Sequence, residues 1–130
     1  MENKGWILVK DKFWDSYETE RLVEEFHKQN INVQLVDPNT IDIFVNKENK
    51  KSILVNGISS EAPKFVFPRT GSGTTYYIKA VIRHFERMGV PVINGSDAID
   101  SVKDKLYSHQ ILAESNLDIP KTMLLKHPID

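Results

Sequence analysis

The strongest constraint on the fold is the alternation of short apolar runs with helical patterns along the chain. Trp6–Val9 and Val33–Val36 are short runs of strand-forming residues, which are too brief for a buried helix and typical of buried strands. A helix is predicted between them over Tyr17–Gln29, with Asp15 or Ser16 as its N-cap. A strand, a helix and a strand joined by short connections predict a βαβ unit with parallel strands.

A second βαβ unit is predicted further along the chain. Phe65–Phe67 is another short apolar run. A long helix is expected to begin after Arg69–Gly73 and to end at Gly89, which suits a left-handed cap. Pro91–Asn94 then predicts a further strand.

A β-hairpin is predicted between the two units, because the apolar runs Ile41–Val45 and Ser52–Val55 flank the polar stretch 46–51. Asn56 and Gly57 are expected to end its second arm, before a loop of small and polar residues. Together these elements predict an α/β fold with an open, mostly parallel sheet, flanking helices and one β-hairpin.

Residues 96–130 predict elements without a sheet of their own. A short helical turn is expected from Ser96 to Ile99, a further helix over Val102–Ser115 and a strand over Ile119–Leu125. Because a single strand cannot satisfy its edges alone, this tail either docks on residues 1–95 or begins a second domain.

Composition excludes several classes of protein. The 130 residues contain no cysteine, which excludes disulfides, thiolate zinc sites and a cysteine nucleophile. Lys and Arg number 17 against 18 Asp and Glu, so the sequence carries no basic footprint for nucleic acid or an anionic membrane. No targeting segment or long apolar stretch is visible, and a cytoplasmic protein with neither kind of partner is expected.

The glycine-rich turn after Phe65–Phe67 is the first candidate binding site. Arg69–Gly73 places backbone amides, a helix N-terminus and a guanidinium at the carboxyl end of a strand, where open α/β sheets bind ligands and where anions are stabilised. The dinucleotide fingerprint fails because Tyr76 stands at its third glycine position, and no Walker A pattern follows. A flexible turn with a surface arginine is the alternative.

Two other motifs are weaker candidates for a functional site. Lys103 and Lys105 flank Asp104 at the start of a helix, where a lysine suits either a phosphate or plain solvent. Glu24 and His27 have the spacing of a metal-binding helix, but the sequence holds no second copy of that pair. No catalytic residue and no metal ligand is therefore assigned in this chain.

Six segments occur in an order and at spacings typical of a known family. They are Phe67-Pro68-Arg69-Thr70-Gly71, Phe85–Val90, Val92–Ile99, Lys103-Asp104-Lys105-Leu106, Gln110–Ala113 and Asp118–Thr122. In this series the chain resembles the N-terminal part of RimK-like ATP-grasp ligases, the type of the ribosomal protein S6 glutamate ligases. The preceding residues match that family only in the order of their elements.

The resemblance implies a pre-ATP-grasp domain over residues 1–95 and, over 96–130, the first helix and strand of an ATP-grasp fold. It implies an ATP- and Mg²⁺-dependent ligase that joins an amino acid or peptide carboxylate to an amine through an acylphosphate. Lys105 matches a lysine that reaches the ATP phosphates, and Arg69, with Thr70 and Gly71, matches a substrate-binding turn. Family members commonly have an isoleucine where Thr70 stands.

The family's phosphate flap and magnesium ligands would lie beyond residue 130. The resemblance therefore implies that this chain alone is inactive and has the rest of an ATP-grasp domain as its partner. The alternative is a complete, non-catalytic module that binds a small ligand or peptide at the turn Gly71–Gly73. An exposed apolar edge in the tail would also favour a homo-oligomer.

Overall fold

The chain forms two compact units, Met1–Ser96 and Asp97–Asp130. The structure, a computed structural model, describes residues 4–48 and 52–127. The polar turn expected at 46–51 thus lies partly outside the described residues. No helix within the described ranges is both long enough and apolar enough to cross a membrane.

A three-stranded parallel sheet forms the centre of the first unit. Its strands are β1 (Gly5–Leu8), β2 (Val33–Val36) and β6 (Val66–Pro68), in the order β2-β1-β6. The register pairs Ile7 with Leu35 on one side and with Phe67 on the other. The predicted parallel sheet is confirmed, with β1 as its buried central strand.

Two helices cover opposite faces of this sheet. Helix α1 (Tyr17–Lys28) packs Phe26 against Phe65 and Phe67, with ring centroids 5.7 Å apart in both pairs. Helix α2 (Tyr76–Arg87) places Phe85 edge-on to Trp6 at 5.8 Å. Neighbouring residues of a strand point to opposite faces, so each helix covers alternate side chains of the sheet. Of the two N-caps proposed for α1, the structure uses Ser16.

A second, antiparallel sheet follows the order β3-β4-β5, from β3 (Ile41–Ile43), β4 (Ile53–Val55) and β5 (Ile58–Ser59). The predicted hairpin of β3 and β4 is confirmed, with shorter arms than expected. Asn56 and Gly57 end β4 after Val55, as expected, but a further strand follows them instead of a loop. Both adopt positive φ, 51° and 76°, and so make the tight turn that returns the chain as β5.

The strand expected at Pro91–Asn94 is reduced to a single parallel bridge between Val92 and Val66. Two backbone hydrogen bonds support that bridge, from Val66 N–H to the Pro91 carbonyl and from Ile93 N–H to the Val66 carbonyl. The direction of this pairing agrees with the predicted second βαβ unit. Its length does not agree with that prediction, because a strand over Pro91–Asn94 was expected.

The second unit contains most of α3 (Ser96–Lys103) and all of α4 (Lys105–Glu114). The expected helix over Val102–Ser115 is wrong at its start, because Asp104 interrupts it and caps α4 by accepting from Tyr107 N–H. The strand expected over Ile119–Leu125 does not form. Among residues 97–127 there is no other strand for it to pair with.

Gly5 is a position where only hydrogen fits. A Cβ there would lie 2.1 Å from Cζ of Phe65, whose ring is stacked on Phe26. We expect Gly5→Ala to cost about 1–3 kcal/mol of unfolding free energy, measured by urea denaturation, because the ring must move out of its packed position. In a double-mutant cycle, Phe65→Leu should reduce that cost. Strictly additive costs would contradict the proposed clash.

His84 lies on α2 and is buried against the antiparallel sheet, with 4 % of its surface exposed. Its Nε2 lies 3.0 Å from Oγ of Ser52, which is equally buried. Burial, together with the charge of Arg87, lowers the pKa of His84 below its ordinary value. The folded chain therefore holds this imidazole neutral.

The lowered pKa of His84 predicts a loss of stability in acid. In the unfolded state the imidazole takes up a proton near its ordinary pKa of 6.5. In the folded state it takes up that proton only at a lower pH. The buried neutral imidazole therefore contributes its full stabilisation at a pH above the unfolded-state pKa. That contribution falls as the pH drops below this pKa. We expect the free-energy difference between the wild-type chain and His84→Gln to narrow between about pH 7.5 and about pH 5.5. A difference independent of pH would contradict the assignment.

Candidate functional site

The carboxyl edge of the parallel sheet contains a topological switch point between β1 and β6. From β1 the chain crosses to β2 on one side, and β6 pairs with β1 on the other. The two connections therefore diverge and leave a crevice at the carboxyl ends of β1 and β6. Ligands of open α/β sheets bind in such crevices.

The residues predicted to bind substrate lie together at this crevice. Arg69, Thr70 and Gly71 line one cavity of about 290 Å³. The other residues lining that cavity are Lys10, Lys12, Phe13, Ser72 and Gly73. The cavity therefore combines three cationic side chains with a glycine-rich turn.

Hydrogen bonds fix the turn at the end of the sheet. The Arg69 N–H donates to the Leu8 carbonyl at 2.8 Å, which ties the start of the turn to β1. Gly71 has a φ of 55°, a conformation that favours glycine. Thr74 closes the turn by donating from its hydroxyl to the Gly71 carbonyl at 2.8 Å. Arg69 itself is exposed, so its guanidinium is accessible to a ligand.

The turn does not lead directly into a helix, as the sequence suggested. A single 3₁₀ turn, Gly71–Gly73, comes first, and α2 starts only at Tyr76. Thr75 caps this helix, since its hydroxyl accepts from Ile78 N–H at 3.3 Å. One amide at the helix start is thus already satisfied. The positive charge of the site comes from side chains rather than from the helix dipole.

Sequence reasoning missed Lys10 and Lys12. Both follow β1 directly, on either side of Asp11, and so reach the same edge of the sheet as Arg69. The position of these lysines after a predicted parallel strand could have indicated them, because the carboxyl ends of adjacent parallel strands share one edge. The tertiary structure was needed to show that β6 lies beside β1 rather than beside β2.

Acidic side chains at this edge do not neutralise the three cations. Asp37 accepts from Asp11 N–H and from Asn39 N–H with its two oxygens, at 3.0 and 2.8 Å. Asp11 accepts from its neighbour's N–H. Within residues 4–48 and 52–127, neither lysine nor Arg69 forms an ion pair. A cluster of like charges in a crevice attracts anions.

A wider cavity of about 690 Å³ lies against α1 and β2. Its lining includes Glu24, His27 and Lys28, but Glu24 is ion-paired with both Arg21 and Lys28. The hydrogen bond from Lys28, followed by that from Arg21, lowers the pKa of Glu24. These charges satisfy one another on an exposed helix face. The cavity is therefore a weaker candidate than the cationic crevice.

Lys105, the predicted phosphate-binding residue, is the first residue of α4 in the second unit. Its side chain is exposed and forms no ion pair with any described residue. In the part of the chain that the structure describes, no group of three or more His, Cys, Asp or Glu side chains could hold a metal ion.

Comparison with known proteins identifies the family of the chain. The profile of the RimK PreATP-grasp domain matches residues 6–99, which is most of the chain. The chain belongs to the RimK PreATP-grasp domain family. The resemblance noted from the sequence is thereby confirmed.

Relatives of this PreATP-grasp chain are named as ligases. It is 40 % identical over 126 residues to a probable alpha-L-glutamate ligase 1 of Shewanella frigidimarina, covering 95 % of the chain and 41 % of the relative. It is 36 % identical over 125 residues to a probable alpha-L-glutamate ligase of Alkalilimnicola ehrlichii, with the same coverage. The chain thus spans about two-fifths of the length of these relatives.

Solved structures of ATP-grasp ligases share the fold. The ATP-grasp ligase PsnB, complexed with precursor peptide PsnA2 and AMPPNP, superposes with a TM-score of 0.65 at 14 % identity. The match covers 93 % of this chain and 46 % of PsnB. A second structure of PsnB, with a minimal precursor, gives the same TM-score at 16 % identity. The PreATP-grasp chain therefore shares its α/β architecture with a little under half of the length of these ligases.

Asp37 holds the segment after β1 in place, which yields a prediction. We expect Asp37→Ala to lower the unfolding free energy by about 1–2 kcal/mol, because the N–H groups of Asp11 and Asn39 lose their acceptors. Urea denaturation measures the change. Glu61→Ala, at an exposed residue, is the matched control and should change stability by less than about 0.5 kcal/mol. Equal losses in both variants would contradict this role.

Proposed function

We propose that this chain is the N-terminal part of an ATP-dependent carboxylate–amine ligase. The observation that carries the proposal is the cationic crevice at the switch point, where Arg69, Thr70 and Gly71 line one cavity with two further cations. An uncompensated guanidinium in such a place suits a carboxylate, which it can bind with two parallel hydrogen bonds. Membership of a family whose relatives are named glutamate ligases agrees with that ligand.

In this reaction class ATP activates a carboxylate as an acylphosphate, and an amine then displaces the phosphate. The role proposed for Arg69 is to bind and orient the carboxylate of an amino acid or peptide substrate, with Thr70 and Gly71 forming the adjacent wall. A peptide substrate agrees with the solved relative that is complexed with a precursor peptide. No residue of this chain is assigned to the bond-forming step.

The second unit is proposed to be the start of the ATP-grasp domain, with the domain boundary near residue 95. Lys105 is its proposed contact with an ATP phosphate, because it stands exposed and unpaired in the first turn of α4. Lysine and a helix N-terminus both favour phosphate. Mg²⁺ is proposed as a cofactor of the complete ligase, and no ligand for it is assigned among the described residues.

Steady-state kinetics of the complete ligase test these roles. We expect Arg69→Ala to lower kcat/KM for the carboxylate substrate about 10- to 100-fold, since a charge-assisted hydrogen bond contributes about 1.5–3 kcal/mol. Lys105→Ala should instead raise the KM for ATP. Lys64→Ala, which removes a charge before β6 rather than after it, is the matched control and should behave as wild type. Full turnover by Arg69→Ala at limiting substrate would remove the role assigned to it.

A further inference from the structure

The outer edge of β2 is open in the described part of the first unit. Strand β2 comes first in the order β2-β1-β6, so its pairing with β1 uses one of its two edges. The carbonyls of Asn32 and Val36 accept hydrogen bonds on that inner edge. Because backbone groups alternate in direction along a strand, the N–H and C=O groups of Val33 and Leu35 point to the outer edge.

The sequence of this edge lacks the features that keep an open strand from pairing. Residues 31–36 read Ile-Asn-Val-Gln-Leu-Val and contain no charge, no proline and no glycine. Open edges ordinarily carry lysine, proline or a bulge, because a free row of N–H and C=O groups is a template for another strand. Gln34, between the two outward-facing residues, is exposed and uncharged. The outer edge of β2 is therefore suited to pairing.

An apolar groove lies beside this edge, against α1 and β2. It is the cavity of about 690 Å³ described above, and Trp14, Val23 and Leu35 supply its apolar lining. Val23 and Leu35 are only half-buried in the chain by itself. A partner that extends the sheet beyond β2 would bury both side chains further, which favours association.

The charged side chains of the groove divide by sign along α1. Glu20 lines the groove near the start of the helix, and His27 and Lys28 line it at the end. Among residues 4–48 and 52–127, Glu20 and His27 form no ion pair. Seven residues are about two helical turns, so these two side chains lie on the same side of α1.

A second copy of the chain complements this division of charge. When two identical strands pair antiparallel about a two-fold axis, the helices beside them also run in opposite directions. The acidic start of one α1 then lies opposite the basic end of the partner's α1, and the contact occurs twice. A strand from an unrelated protein would not supply this match.

We propose that the outer edge of β2 is an interface between two copies of this chain, which pair their β2 strands antiparallel about a two-fold axis at Gln34. Val33 of one copy forms hydrogen bonds with the partner's Leu35, and the sheet continues across the axis as six strands. Glu20 of each copy lies opposite the partner's His27. Since β6 is on the other side of β1, the pairing leaves the crevice between β1 and β6 open. The interface is independent of the function proposed for that crevice.

Sedimentation equilibrium of the 130-residue chain tests the interface. One chain has a mass of 14.9 kDa, and we expect a dimer of about 30 kDa at about 100 μM. Gln34→Lys places two ammonium groups opposite each other at the axis and should weaken the dimer at least about tenfold. Gln110→Lys, the same change at an exposed residue of α4, is the matched control and should keep the dissociation constant within about twofold of wild type.

Mixing two charge-reversed variants tests the arrangement of the helices. Glu20→Lys sets a cation opposite the partner's His27, and His27→Glu sets two carboxylates opposite each other. Each variant alone should therefore dimerise about fivefold more weakly at low salt. In an equimolar mixture both contacts regain opposite charges, and the heterodimer should have a dissociation constant within about twofold of wild type. Misfolding of a variant would not produce this recovery.

Three outcomes would overturn the proposal. A chain that stays monomeric at about 1 mM would show that a copy does not occupy the edge, and would leave it to a different strand. A dimer that Gln34→Lys leaves intact, or that Gln110→Lys weakens to the same extent, would locate the contact elsewhere. A mixture of Glu20→Lys and His27→Glu that associates no better than either variant alone would contradict the two-fold arrangement.

Discussion

The parallel pairing of β1 with strands on both of its sides is the constraint on which the rest of the first unit depends. Gly5–Leu8 is buried along its whole length and forms hydrogen bonds on both edges. Every neighbour must approach it closely, which explains the absence of a Cβ at Gly5, where the Phe65 ring lies. Because β2 and β6 lie on opposite sides of β1, the chain diverges at its carboxyl end. The crevice is a consequence of that divergence.

The carboxyl end of β1 also determines where the charges of the site lie. Val9 N–H donates to the Val36 carbonyl, and Arg69 N–H donates to the Leu8 carbonyl, so the ends of all three strands are tied at one level. The buried carboxylate of Asp37 then holds the start of the segment that carries Lys12. These bonds use backbone groups and one acid. They leave the lysines and the arginine without ion-pair partners among the described residues, and therefore available to an anion.

Much of the first unit could be predicted because its signals are local. Val33–Val36 forms the strand expected of it, and Gly89 follows α2 with a φ of 78°, as a left-handed cap should. Predictions failed where the outcome depends on a distant partner. A loop was expected after Asn56 and Gly57, but β4 had a free edge, so the positive φ angles of these two residues return the chain as β5. Ile119–Leu125 has strand-forming residues, yet the described part of the second unit offers nothing to pair with it.

The sequence by itself determined the parallel α/β core, the position of Arg69 at the end of a strand and the family resemblance. Periodicity, capping residues and ordered motifs predict these features because each is a pattern of residues that are near one another in the chain. Only the tertiary structure decided which strand lies beside which. That order brings Lys10, some 60 residues before Gly73 in the chain, against the backbone of the glycine-rich turn. The physical reason is that contacts across a parallel sheet join residues that no local pattern links.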